Sequence, residues 1–106
     1  MKLSKDLITK AEHLATLAAR EYQKSFGENP MGCGFAWVEV KNVRGNNAKL
    51  LKENGFNKNY TKPGLSLWDP ACMPTQDMDI KMAGALAYAG VLKEAGLDAQ
   101  AVCRLD

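Results

Sequence analysis

The spacing of apolar residues changes along this chain, and that change constrains the fold more than any other sequence feature. Over about residues 4–26, apolar residues recur every three to four positions, which is typical of one side of an α-helix. Residues 34–40 are aromatic and β-branched and are bounded by turn residues, which predicts a strand. Helical and extended patterns then alternate to the C-terminus. We therefore predict the element order α-β-α-β-α-β.

Capping and stop residues define the expected ends of these elements. The second helix is expected over about 46–54 and the third from 75 or 77 to about 95. Short alternating runs at 65–68 and 99–105 predict the second and third strands, and residues 55–64 are expected to form a loop. The expected helix-capping residues are Ser4 for the first helix, Asn46 or Asn47 for the second, and Thr75 or Asp77 for the third.

Length and composition predict one globular domain spanning residues 1–106. The chain is 46% apolar and 25% charged, which is ordinary for a folded domain of this size. We expect an α/β fold, with α+β as the alternative, built as a two-layer sandwich. In it, helices cover a small three-stranded sheet. The strands run parallel if the helices are crossover connections, and a mixed sheet is equally allowed because the 55–64 loop can reverse the chain.

Two tryptophans fall on predicted strands. In the first strand, alternation places Trp37 on the face opposite the aliphatic residues. If Trp37 and Trp68 are exposed on one sheet face, they can stack nucleic acid bases or anchor a protein partner. The alternative is that both pack beneath the helices. The expected faces of the first strand are Ala36, Val38 and Val40 on one side and Phe35, Trp37 and Glu39 on the other.

Basic residues concentrate in the middle of the chain. Residues 41–62 contain six basic side chains and one acidic side chain, a net charge of +5, whereas the whole chain carries +2. Such a surface attracts phosphate. Gly45 and Asn46 lie where a strand gives way to a helix, so free N–H groups there can form an anion pocket; an ordinary solvated loop is the alternative. The candidate anion or nucleic-acid residues are Lys41, Arg44, Gly45, Asn46, Lys49, Lys58, Tyr60 and Lys62.

Residues with potential for catalysis or metal binding are sparse. Cys33, Cys72 and Cys103 are widely spaced and His13 is the only histidine, so we expect free thiols that pack as small apolar residues, and no metal site. Asp69, Asp77 and Asp79 surround the start of the third helix, where capping is their expected role, with Arg104 available as an ionic partner. The sequence contains no catalytic set that we would assign, and it implies no cofactor.

Gly84 and Gly90 lie inside the predicted third helix. A glycine in a helix interior costs about 0.5–1 kcal/mol relative to alanine. We therefore expect close approach to another backbone at these positions, with the third helix touching the sheet at Gly84.

Several short segments together resemble a family of small uncharacterised proteins of T4-type tailed bacteriophages. The resemblance covers most of the chain after residue 33. It implies a phage-encoded protein acting inside an infected bacterium, and it implies no reaction. The segments that carry it are Gly34-Phe35-Ala36-Trp37-Val38, Gly64, Leu67-Trp68-Asp69-Pro70, Gln76-Asp77-Met78-Asp79, Lys81, Ala83-Gly84-Ala85 and Arg104-Leu105-Asp106.

Taken together, these patterns favour a binding protein over an enzyme. The leading expectation is a non-enzymatic module that binds a host or phage protein through an exposed sheet face or edge. The alternative is a weak nucleic-acid or phosphate binder that uses the basic 41–62 segment. We expect no secretory signal and no membrane span, and a cytoplasmic location in the infected host. The sequence leaves the oligomeric state open.

Overall fold

The computed structural model describes residues 3–29 and 31–106 of the chain. This part contains helices and strands in one compact unit, and the expected mixed α and β class is confirmed. None of its helices combines the length and apolar character that crossing a membrane requires. The elements are α1 (Lys5–Phe26), β1 (Gly34–Lys41), α2 (Gly45–Glu53), β2 (Asn57–Lys58), β3 (Leu65–Trp68), α3 (Met78–Glu94) and β4 (Asp98–Leu105).

The β-sheet has four strands in the described part of the chain, in the order β2-β3-β1-β4, so the expected three-stranded sheet is wrong. The added strand, β2, consists of Asn57 and Lys58 and lies inside the stretch predicted to be a loop. Two polar residues carry no alternation of apolar and polar positions, so the sequence pattern does not reveal such a strand.

All neighbouring strands are antiparallel, and neither the parallel nor the mixed arrangement occurs. Because β3 and β4 each pair antiparallel with β1, they point in the same direction but are not neighbours. α3 therefore forms a crossover connection, a possibility that the sequence left open. The strand that it crosses is β1, and this central strand makes every adjacent pair antiparallel.

Two of the expected helix caps are confirmed. The Ser4 hydroxyl accepts a hydrogen bond from the Leu7 N–H group at the start of α1. At the start of α3, the Asp77 carboxylate accepts hydrogen bonds from the N–H groups of Asp79 and Ile80. Both caps satisfy backbone donors that a helix leaves unpaired in its first turn.

The expected cap of α2 is wrong. The N-cap residue is Arg44, whose side chain makes no capping hydrogen bond, and the helix begins at Gly45 with a φ of +61°. The Asn47 carboxamide oxygen instead accepts a hydrogen bond from the Leu3 N–H group at 3.0 Å, which ties the start of the chain to α2. Because the Asn47 side chain bonds this distant N–H group, it does not cap its own helix.

Both long helices are close to one another, and α3 packs directly on β1 and β4. The side of β1 that faces them carries Ala36, Val38 and Val40, all of which are buried, so the expected aliphatic face is confirmed. Tyr88 of α3 is completely buried beside the ring of Phe56, at a centroid separation of 5.8 Å. Burial raises the pKa of Tyr88.

Close approach explains only one of the two α3 glycines. A Cβ atom at Gly84 would lie 2.7 Å from the Cβ of Ala71 and 3.2 Å from the carbonyl oxygen of Ala15. The contact is therefore with α1 and the loop after β3, and the expected contact with the sheet is wrong. At Gly90 no atom beyond its chain neighbours and the backbone of its own helix lies within 4 Å of the added Cβ, so the expectation fails there.

Candidate functional site: the open face of the sheet

One side of the sheet is not covered by the helices, and we refer to it as the open face. The strand registers place Trp37 of β1 directly opposite Trp68 of β3 on this side. Their rings stack with centroids 4.6 Å apart and planes at 23°. Trp68 is 52% exposed and Trp37 is half-buried. The open face comprises Phe35, Trp37, Glu39, Lys41, Asn57, Ser66, Trp68, Asp98, Gln100, Val102 and Arg104.

A third aromatic ring extends the tryptophan pair along β1. The Phe35 ring meets Trp68 edge to face, with centroids 6.0 Å apart. Arg104 lies opposite Phe35 in β4, and its guanidinium carbon is 5.7 Å from the centre of the Phe35 ring. Cations over aromatic faces are attracted by the ring quadrupole. Arg104 is therefore part of the aromatic row, and the expected ionic pairing with an aspartate near α3 is not the contact that the structure shows.

A buried carboxylate lies beneath this surface. Glu39 is only 2% exposed, and its carboxylate forms an ion pair with the Lys62 ammonium. The Gln100 amide donates a second, longer hydrogen bond to it at 3.5 Å. Burial alone would raise the pKa of Glu39, but the hydrogen bonds and the positive charge of Lys62 outweigh it, so the pKa is lowered. Lys62 thus neutralises the acidic side chain that β1 places on the open face.

Strand β2 and the loop between β2 and β3 bring basic residues to the tryptophan pair. Lys58, Tyr60 and Lys62 line one cleft of about 760 Å³ together with Trp37 and Trp68. The Tyr60 side chain is fully exposed. Two hydrogen bonds of Asn59 hold the loop to the sheet. Its side-chain oxygen accepts from the Ser66 hydroxyl, and its backbone N–H donates to the Gly64 carbonyl oxygen at 3.1 Å. Two features that the sequence presents separately therefore form one surface.

The rest of the predicted basic segment does not join this cleft. Lys41 lies at the end of β1 opposite Asp98, outside the cleft. The remaining candidates belong to the start of α2, where no side chain caps the helix and no second feature marks an anion site. The predicted anion-binding residues that lie on or beside α2, outside the cleft, are Arg44, Gly45, Asn46 and Lys49.

A second, more polar cleft of about 840 Å³ lies at the start of α3. The buried Lys81 ammonium donates to the Gly34 carbonyl oxygen at 2.9 Å. Asp69 has a positive φ of 48°, and its Oδ1 atom is enclosed by protein with no hydrogen-bond partner in the described structure. Burial raises the pKa of Asp69, and the nearby Lys81 charge only partly offsets this effect. This oxygen is therefore closed off from solvent.

Thiols and other metal-binding side chains do not converge. Cys72 and Cys103 are exposed, so their expected packing as core residues is wrong, while Cys33 is half-buried and none is in a disulfide. Over residues 3–29 and 31–106, no group of three or more histidine, cysteine, aspartate or glutamate side chains is arranged to hold a metal ion. His13 is exposed on α1, away from both clefts.

Comparison with known proteins assigns no family or function to the chain. No protein-family model, curated protein or solved structure matches the chain.

Proposed function

We propose that this protein is a non-enzymatic binding protein whose recognition surface is the open face, and that its ligand is single-stranded nucleic acid. The observation that carries this proposal is the stacked Trp37–Trp68 pair on the open face, beside Lys58 of β2 and Tyr60 and Lys62 of the loop that follows it. The same chemistry appears in sheets that bind single strands, where aromatic rings stack bases and cations attract phosphates.

Stacking supplies the first part of the argument. Bases of any sequence have a π-face, and each base stacked on an aromatic side chain contributes about 1–3 kcal/mol by alanine substitution. Trp68 presents half of its surface to solvent, and Tyr60 extends fully into solvent across the same cleft. Phe35 continues the aromatic row along β1. Exposed rings in a row can stack on the unpaired bases of an extended single strand, whereas the bases of a duplex are already stacked on one another.

Charge supplies the second part. Lys62 neutralises Glu39, so the cleft keeps the positive charge of Lys58 with no opposing free carboxylate among its lining residues. Arg104 adds a cation at the far end of the aromatic row. Lysine is depleted from the centres of protein–protein interfaces, whereas phosphate backbones attract it. This balance favours nucleic acid over a protein partner on the same surface.

The setting of the proposed function rests on the sequence resemblance. A protein similar to the small proteins of T4-type tailed bacteriophages would act in the cytoplasm of an infected bacterium, and we propose that location here. The expectation of a host or phage protein partner remains the competing use of the same surface, because Trp, Tyr and Arg are also the residues that dominate protein-binding hot spots.

Intrinsic fluorescence provides a direct test, because Trp37 and Trp68 are the two tryptophans of the chain. Titration with single-stranded oligothymidine at low salt is expected to quench their emission, and added salt is expected to reverse the quenching. Trp68→Ala is expected to weaken binding by roughly tenfold or more, as measured by anisotropy of a labelled oligonucleotide.

Leu86→Ala is the matched control, because Leu86 is 55% exposed but lies on α3 rather than on the sheet. It should bind as the unaltered protein does. A duplex of equal length should bind more weakly than the single strand. If neither quenching nor anisotropy changes at about 50 mM salt, where a few phosphate contacts already give measurable affinity, the nucleic-acid proposal is wrong and the protein-partner alternative takes its place.

A further inference from the structure

β4 forms one edge of the sheet, and its outer side is unprotected. All eight residues of Asp98–Leu105 pair with β1 in an unbroken register, and among the described residues no strand pairs with its other side. Every second residue of such an edge directs its N–H and C=O groups away from the sheet. β4 contains no proline, no lysine and no bulge, which are the usual devices that block edge pairing.

We propose that the partner of this edge is a second copy of the chain, paired β4 to β4 in the antiparallel direction about a two-fold axis at Ala101. Antiparallel pairing of identical strands is self-complementary, so one edge can satisfy the other without any additional surface. The proposal does not depend on what the open face binds.

The charges of β4 select the register. In a continuous sheet, directly opposite residues point to the same face. In a symmetric β4–β4 pair, one residue must therefore lie directly opposite its own copy, with the two-fold axis between the two copies. Centring the pair on Ala101 places Asp98 of each copy opposite Arg104 of the other, both on the open side of the sheet. Moving the centre by one residue to Val102 or to Gln100 removes this match. The Ala101 register therefore pairs both charges of the strand and uses residues 98–104.

The resulting dimer would extend the surface described above. A two-fold axis perpendicular to the sheet keeps both open faces on the same side, so two Trp37–Trp68 pairs lie on one continuous sheet. Pairing through a single strand buries little surface compared with a standard interface, so we expect a dimer with a dissociation constant on the order of micromolar or weaker.

Charge reversal with rescue tests both the dimer and its register. Sedimentation equilibrium of the full chain is expected to show a monomer–dimer equilibrium. Asp98→Arg sets two arginines opposite each other at both ends of the pair, and Arg104→Asp sets two carboxylates opposite each other. Each single substitution is expected to weaken dimerisation by roughly tenfold or more. The double substitution Asp98→Arg with Arg104→Asp restores opposite charges and is expected to restore most of the affinity.

Lys49→Asp is the matched control, because Lys49 is exposed on α2 and undergoes the same charge change. It should leave the dimer intact, and circular dichroism should show that every variant is folded. The proposal is overturned if the unaltered chain stays monomeric at about millimolar concentration. It is equally overturned if a dimer forms that the single reversals do not weaken, or if the double substitution fails to rescue it, since either result places the interface or the register elsewhere.

Discussion

The two faces of the same β-sheet differ in almost every property. The face beneath the helices carries Ala36, Val38 and Val40, which are small, aliphatic and completely or almost completely buried. The open face, formed by the alternate positions of the same strand, carries Phe35 and Trp37. One face therefore holds the molecule together, while the other presents large rings and cations to solvent.

This difference shows how one strand in a chain of 106 residues can bury small aliphatic side chains on one face and leave large aromatic rings outside the core on the other. Large aromatic residues are usually buried because they remove the most apolar surface from water. Here the largest rings of the sheet lie outside the core, and Trp68 keeps half of its surface exposed. The comparison therefore predicts that equal substitutions on the two faces have unequal effects on folding.

The largest expected effect is a carboxylate on the covered face. Val38→Asp places a charge at a site with no exposed surface inside the cluster of buried apolar residues, and we expect it to destabilise the fold by about 4 kcal/mol or more. Val102→Asp is the matched change on the open face, where the side chain is only half-buried, and should cost about 1 kcal/mol. Urea unfolding followed by circular dichroism measures both. Equal losses would mean that the two faces are equally buried.

Next in size is a paired substitution within α3. Gly84→Ala adds a methyl group 2.7 Å from the Ala71 Cβ, so we expect a loss of about 1–3 kcal/mol from overpacking between α3, α1 and the loop after β3. Gly90→Ala meets no atom within 4 Å and should instead stabilise the helix by about 0.5–1 kcal/mol. Thermal midpoints of the two variants should therefore move in opposite directions; a fall in both would contradict the helix packing described.

A smaller, pH-dependent effect is expected beneath the open face. The folded protein lowers the pKa of Glu39, so this group contributes stability above the ordinary glutamate pKa and loses that contribution as pH falls through its lowered value. Lys62→Met leaves the buried carboxylate without its cation and should cost about 1–2 kcal/mol at neutral pH. The difference between variant and unaltered protein should shrink as the solution is acidified.

Lys58→Met is the control for this pH series. Lys58 is exposed in the edge strand β2 and forms no ion pair in the described structure, so its removal should leave the pH profile of stability unchanged. If Lys62→Met shows no larger effect than Lys58→Met at neutral pH, the ion pair with Glu39 does not stabilise the fold.

Local patterns were sufficient to predict much of this fold. The three helices, the Ser4 and Asp77 caps and the longer strands follow from periodicity and capping chemistry. Strand β2 and the antiparallel strand directions could not be predicted in this way, because both depend on pairings between distant residues such as Asn57 with Ser66. Periodicity describes which residues share a face, but it carries no information on which strands are neighbours.

The candidate site was predictable in parts and not as a whole. Alternation correctly separates Trp37 from the aliphatic face of β1. Its contact with Trp68 depends on the register between β1 and β3, which no local pattern specifies. The pairing of Lys62 with Glu39 and the position of Arg104 over Phe35 were missed for the same reason. The basic residues of 41–62 form one continuous segment in the sequence, whereas the fold places some of them at α2 and others at the cleft.

The most direct test of the central claim is a ¹H–¹⁵N correlation spectrum of the labelled protein during titration with single-stranded oligothymidine at low salt. We predict that the indole N–H signals of Trp37 and Trp68 and the amide signals of β1, β3 and the intervening loop shift, and that added salt reverses these shifts. Shifts confined to α1 and α2, or a spectrum that does not change, would contradict recognition by the open face.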